Sequence, residues 1–260
     1  MAGRRLLPTI IFLAVAGCSP PVRVSTPNPV PTEYACTESG TVQAATVDSE
    51  TEVCIYLPPC YADQPDRFYP VLYLFPGFGG TNNDFIGDTG ANRIADEMIL
   101  PGEIPPFIIV ATDDMFPDLD AAAVTEKILP YMDANFRTLP ERRFRAAAGG
   151  SFGGAVAYHL AFKRYDLFGT AGIFGNGAAR GEEEAIRRWL AIIPLEKRPR
   201  VFINVGEGDT YMLQRAKVLI PLLDEAGIPH KEIFSPGAHS GDYWLSNFPA
   251  YFRWLGEDWR

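Results

Sequence analysis

The sequence predicts an α/β fold: an eight-stranded, mostly parallel sheet with helices on both faces. Three observations lead there. From Val71 onward, short and almost wholly apolar runs recur, as expected of parallel strands buried on both faces. Segments of helical periodicity separate them. Between one such run, Phe144–Ala148, and a helical stretch of small residues stands Gly149-Gly150-Ser151-Phe152-Gly153-Gly154. This is a strand, a glycine-rich turn holding one serine, and a helix, with G-x-S-x-G spacing.

Taken in order, Thr41–Val47 and Glu52–Leu57 are close enough to pair as an antiparallel hairpin. Six further strands follow at Val71–Phe75, Phe107–Ala111, Phe144–Ala148, Thr170–Phe174, Arg200–Val205 and Lys231–Ser235. Asp120–Phe136 places Val124, Ile128 and Tyr131 on one helical face, and Thr210–Ala226 does the same with Met212, Ala216, Leu219 and Leu223. Gly227 ends the second of these. Ala91–Leu100, Glu182–Ile192 and Tyr243–Leu255 are shorter helices. Pro130, Pro221 and Pro249 fall inside three of these spans and are expected to kink or interrupt them. Alternation of strand and helix implies right-handed crossovers and one sheet.

The chain begins with Arg4 and Arg5, then an apolar run from Leu6 to Ala16 too short to span a membrane. It ends in Val15-Ala16-Gly17-Cys18, which resembles a bacterial lipobox and implies cleavage before Cys18 and lipidation of that cysteine; the alternative is an ordinary secretory signal that contains a cysteine. Residues 1–18 thus read as an export signal. Residues 19–35, rich in proline, form an extended tether able to hold a domain ~40–50 Å from a membrane. Residues 36–260 are one domain. The net charge of −9 argues against nucleic acid and against an anionic membrane surface, so membrane contact is expected only through the lipid anchor. Export permits a disulfide. Along a strand, Cys54 and Cys60 stand too far apart to bridge. Cys36–Cys60 is the favoured pair, with Cys36–Cys54 nearly as good.

In sheets of this kind, ligands sit beyond the carboxyl ends of the strands. After the third strand comes Pro76-Gly77-Phe78-Gly79-Gly80, after the fifth Ser151, after the seventh Gly206-Glu207-Gly208-Asp209, and after the eighth Pro236-Gly237-Ala238-His239. A serine hydroxyl needs a base within hydrogen-bond reach, and the base needs a carboxylate behind it. The chain has three histidines. His159 lies within the helix after Ser151 and His230 at the wrong end of its strand, which leaves His239. Asp209 is the preferred carboxylate, with Glu207 as the alternative; Asp242 is near His239 only in sequence. Singly, Ser151 and Asp209 read equally well as helix caps and His239 as a loop residue. Their coincidence at three strand ends, in the order Ser…Asp…His, is what points to catalysis. No metal-ligand cluster, P-loop or dinucleotide fingerprint appears, so no cofactor is expected.

Val53-Cys54-Ile55-Tyr56-Leu57-Pro58-Pro59, Tyr69–Gly80, Pro105–Val110, the serine turn, Tyr165-Asp166-Leu167-Phe168-Gly169 and Pro236–His239 together resemble the esterase D-like family of α/β-hydrolases across essentially the whole domain. That family includes feruloyl, acetylxylan and siderophore (enterochelin) esterases, S-formylglutathione hydrolase and the mycolyltransferases. The resemblance implies an α/β-hydrolase fold, catalytic roles for Ser151, Asp209 and His239, and an oxyanion hole from the backbone N–H groups of Phe78 and Phe152. Two departures stand out. Pro76 occupies a position usually held by histidine, and Asn176–Pro199 leaves room for one helix and little lid. An open cleft follows, suited to a bulky or polymer-attached ester, with Phe78, Phe85, Phe152 and Trp244 as candidates for lining or for packing. The expected function is serine ester hydrolysis of an exported substrate such as a carbohydrate or siderophore ester. The alternatives are acyl transfer of the mycolyltransferase type and a catalytically silent cell-surface binding module.

Overall fold

The computed structural model describes residues 36–48, 51–115 and 117–260, so the signal segment, the tether and Cys18 lie outside the described residues. The strands are β1 (Thr41–Thr46), β2 (Glu52–Leu57), β3 (Val71–Phe75), β4 (Ile108–Thr112), β5 (Arg145–Gly150), β6 (Thr170–Phe174), β7 (Arg200–Gly206) and β8 (His230–Ser235). The helices are α1 (Ala91–Ile99), α2 (Leu129–Asn135), α3 (Phe152–Lys163), α4 (Glu183–Ala191), α5 (Thr210–Glu225) and α6 (Gly241–Gly256). One eight-stranded sheet runs in the order β1-β2-β4-β3-β5-β6-β7-β8. β2 pairs antiparallel with β1 and with β4, and every later pairing is parallel. Because β3 lies between β4 and β5, the loops leaving β3 and β5 emerge side by side at the middle of the sheet.

The period-two alternation of each strand splits the core between two faces. Leu72, Leu74, Ala146 and Ala148 face α1 and α6, where Phe248, Tyr251, Phe252 and Leu255 form an aromatic layer. Val71, Tyr73 and Phe75 face α3, meeting Val156, Ala157 and Leu160. Farther along, Ile173, Val201, Ile203 and Val205 pack against Leu219, Leu222 and Leu223 of α5 and Ile186 and Leu190 of α4. Alanines at three successive positions of β5 let helices close in on both sides of the central strand.

The prolines act differently from one another. Val124–Ile128 forms a π-helical turn that runs straight on into α2, and Pro130 follows closely, so the wide turn falls where the proline removes a backbone N–H. The helix expected over Asp120–Phe136 is one continuous helical run over 122–135 with a π-helical middle. Pro221 and Pro249 lie inside α5 and α6, and neither interrupts its helix. A proline costs about 3 kcal/mol in a helix interior. The buried Leu219, Leu222 and Leu223 on α5 and the aromatic layer on α6 contribute ~1.5–3 kcal/mol each, which outweighs it.

Cys36 is joined to Cys60 with a Cα–Cα separation of 5.9 Å, while Cys54 stays buried and unbridged on β2, where burial pushes its thiol pKa up. The bridge pins the start of the domain to the loop after β2. Reduction of the denatured chain is expected to release two additional thiols. Cys36→Ser should lower unfolding free energy by about 3 kcal/mol, from the entropy of a 24-residue loop. Urea unfolding of the two proteins checks it.

Candidate active site

β5 ends at Gly150 and α3 begins at Phe152, so Ser151 alone makes the turn, with φ 51° and ψ −120°. Such a conformation costs a non-glycine residue ~1–3 kcal/mol and persists only where the surroundings impose it. Here the end of β3 does so. A Cβ on Gly149 would lie 2.5 Å from the Phe75 carbonyl oxygen, and one on Gly153 would lie 2.1 Å from the same atom. The glycines on either side of the serine are thus required by contact between β3, β5 and α3. The Ser151 N–H donates to the Phe174 carbonyl at 2.8 Å, tying the turn to β6 as well.

His239 and Asp209 come to this turn from the next two strand ends. Gly208 N–H donates to the Gly237 carbonyl at 2.9 Å, joining the loop after β7 to the loop after β8. His239 Nδ1–H donates to Asp209 Oδ2 at 2.5 Å, and His239 Nε2 stands 2.9 Å from Ser151 Oγ. With Nδ1 committed as donor, Nε2 is left to accept the serine proton. Asp209 also caps α5 by accepting from the Met212 N–H at 3.3 Å. Its side chain is 9% exposed, that of His239 36%. The Trp244 ring meets the imidazole edge to face at 5.1 Å between centroids. Glu207 and Asp242 are exposed, and among the described residues Asp209 is the carboxylate that meets the ring.

The loop after β3 crosses in front of the serine: a Cβ on Gly77 would lie 3.5 Å from Ser151 Cβ. Gly80 N–H closes a turn onto the Gly77 carbonyl at 3.0 Å, with Gly79 at φ +71°. Two carboxylates that sequence reasoning missed hold this turn. Asp114 accepts from the Gly79 N–H at 2.7 Å, and Asp113 accepts from the Asn82 N–H at 2.9 Å. The available signal was their position, two adjacent acids directly after the fourth strand. Pro76 packs beneath the turn, since a Cβ on Gly80 would come within 2.7 Å of its Cβ. Phe78 is 71% exposed at the tip, and Phe152 opens α3 beside Ser151. Phe85 and Trp244 are buried, the first stacked on Phe248 and the second edge to face with His239, so packing is their role.

The other histidines lie elsewhere. His230 Nδ1 donates to the Ile228 carbonyl at 2.8 Å, at the start of β8. His159 is buried on α3, its Nε2 2.6 Å from Glu182 Oε1. Glu182 also accepts from the Tyr158 hydroxyl at 2.6 Å and the Ala179 N–H at 2.9 Å. Burial alone would raise the Glu182 pKa, but these three partners outweigh it and hold it at about 2. Among the described residues, no group of three His, Cys, Asp or Glu side chains could hold a metal ion. None of their helices is long and apolar enough to cross a membrane.

The sheet order and the crossing of its helices are those of an α/β-hydrolase. The "Putative esterase" family profile matches residues 44–255. The chain belongs to that family. An endo-1,4-beta-xylanase/feruloyl esterase of Xylanibacter ruminicola is 28% identical over 229 residues, covering 79% of this chain and 30% of that protein. An esterase of Mycobacterium tuberculosis is 26% identical over 260 residues, covering 76% of this chain and 54% of its own. The chain therefore spans 30% of the length of one of these curated relatives and 54% of the other. The feruloyl esterase module from Clostridium thermocellum shares the fold with a TM-score of 0.73 at 18% identity, over 90% of this chain and 94% of that one.

Two outcomes are expected. Gly153→Ala drives a methyl into the Phe75 carbonyl, which only a backbone shift relieves; a loss of about 3 kcal/mol or more should appear in urea unfolding. Glu182, with its folded pKa depressed, contributes stability that is fully present above its ordinary 4.5 and is lost as pH falls toward about 2. Urea midpoints of Glu182→Gln should therefore fall less steeply across that window than those of the parent.

Proposed function

We propose that this protein is a serine carboxylic-ester hydrolase that works through an acyl-enzyme, with Ser151 as nucleophile, His239 as general base and then acid, and Asp209 as the group that orients and stabilises the imidazolium. The observation that carries the reading is the continuous hydrogen-bonded series from Asp209 Oδ2 through His239 to Ser151 Oγ, at 2.5 and 2.9 Å. As Ser151 Oγ attacks the ester carbonyl carbon, its proton passes to His239 Nε2. The carbonyl oxygen becomes an oxyanion, met by the backbone N–H groups of Phe78 and Phe152, each such donor lowering the barrier by ~2.7–4 kcal/mol. Collapse of the tetrahedral adduct breaks the ester C–O bond, and the departing alcohol takes the proton from Nε2. Water then repeats the sequence on the acyl-serine, with His239 again the base. No step requires a cofactor.

The compartment is extracytoplasmic, with the domain tethered by residues 19–35 to a lipid on Cys18; the Cys36–Cys60 bridge fits an oxidising space. The substrate class is an ester carried on a carbohydrate, with a hydroxycinnamoyl acyl group the leading candidate. The support for this is the names of the relatives, one a xylanase/feruloyl esterase and another a feruloyl esterase module complexed with sinapinate. An exposed His239 and the short connection from β6 to β7, which holds α4 and one 3₁₀ turn, suit a bulky, polymer-attached ester.

Release of p-nitrophenol from its acetate ester should fall by ~10⁴-fold or more in Ser151→Ala. A fluorophosphonate probe should label the parent at Ser151 and leave the variant unlabelled. Equal rates in the two proteins would remove the hydrolase reading. Across a panel of feruloyl, acetyl-xylan and siderophore esters, the feruloyl ester should give the highest kcat/KM; a preference for either other ester moves the substrate accordingly.

A further inference from the structure

We infer that Asn176 is a positioning residue for the nucleophile, acting by holding the carbonyl of Ser151 from outside the triad. The inference rests on Ser151 being the nucleophile, as proposed above. A serine at φ 51° sits on strained backbone, and its Oγ stays aimed at His239 only if both of its peptide groups are fixed. The preceding peptide is fixed by the Ser151 N–H bond to Phe174. The following one is fixed through the Ser151 carbonyl oxygen, which accepts from the Gly154 N–H at 3.0 Å and from Asn176 Nδ2 at 2.5 Å.

The side-chain amide can face only one way. Asn176 Oδ1 accepts from the Gly177 N–H at 2.6 Å, so the donor end is the one presented to Ser151. The residue itself has little room to move. It is 9% exposed, and its Cβ would lie 3.1 Å from a Cβ on Gly154. Gly177 is wedged so tightly against α5 that a Cβ there would meet Ala216 N at 2.3 Å. Gly175 N–H is tied to the Asn204 carbonyl at 2.7 Å. β6 thus reaches past its own end and grips the serine turn on both sides, with one backbone acceptor and one side-chain donor. A leucine at 176 would fill the space, and an alanine would vacate it, but either would leave the carbonyl with one donor fewer.

Changing the sign of that contact tests it. Asn176→Asp keeps the shape while setting a carboxylate against the Ser151 carbonyl, acceptor against acceptor. Once protonated, the same side chain donates an O–H in place of the amide. Burial and the facing carbonyl both raise the pKa of an aspartate placed there. In the full chain with p-nitrophenyl acetate, Asn176→Ala should lower kcat by ~10-fold with KM within ~2-fold of the parent. Asn176→Asp should be slower still at pH 8, and its rate relative to the parent should climb as pH falls to about 5, since the ratio removes the pH dependence the two proteins share. Should Asn176→Ala not fold, as judged by its thermal transition, the ratio for the isosteric variant carries the test alone. A ratio flat with pH, or a parental kcat in Asn176→Ala, overturns the role. A parent that turns over ester and takes the fluorophosphonate while the variants behave as it does overturns this inference only. A parent that does neither overturns the triad reading and this role together.

Discussion

Everything at the site depends on one close approach, that of the carbonyl end of β3 to the turn between β5 and α3. The Phe75 oxygen occupies the space where side chains at 149 and 153 would be. Backbone packed that closely leaves Ser151 a single path from strand to helix, and the path carries a positive φ. Strain of ~1–3 kcal/mol is sustained because the contacts around it belong to the core. β3 and β5 are fully buried neighbours in the sheet, and α3 is held on them by Val156, Ala157 and Leu160. Ser151 is thus aimed by elements buried in the core.

The base and its carboxylate are set by different means, because both lie on loops. The β7 and β8 loops are joined by the Gly208–Gly237 bond, and Gly237 is pressed against Tyr243, whose ring a Cβ there would meet at 2.0 Å. The Tyr243 hydroxyl in turn bonds Ser235 Oγ at 2.8 Å and Asn204 Nδ2 at 3.2 Å. Asp209 serves two ends at once, bonding the imidazole and capping α5. A loop pinned at its middle and at both ends behaves as a rigid element, and short connections make this possible.

What could be read from the residues alone follows from where each signal resides. The buried parallel strands were legible because continuous apolar runs have few other uses. The serine turn was legible because its glycines answer a backbone constraint that is local in sequence. Asp209 and His239 could be placed because strand ends define one edge of the sheet. The Cys36–Cys60 pair could only be ranked above Cys36–Cys54, since it depends on the path of a loop. Asp113, Asp114 and Asn176 were not legible as site residues. Each acts through a hydrogen bond to backbone that lies 25 or more residues away, and no spacing rule connects them. Whether a helix runs on through Pro221 and Pro249 depended on how much apolar surface the flanking turns bury, a tertiary quantity.

An active site can be aligned by a lid that closes over the substrate or by a framework beneath it. Here the supports named so far lie underneath: Trp244 against His239, Tyr243 under Gly237, and β3 under Ser151. Above them, Phe78 and Tyr211 are more than half exposed, and His239 itself is over a third exposed. Supports of this kind hold Ser151 and His239 in register before any substrate is enclosed. The cost is weaker electrostatics, since water near the oxyanion screens the donors that a dry pocket would strengthen. That exchange suits an enzyme whose ester is one substituent on a chain too large to engulf. It is the same inference the short segment between Asn176 and Pro199 suggested, now with a physical reason why a lid is dispensable.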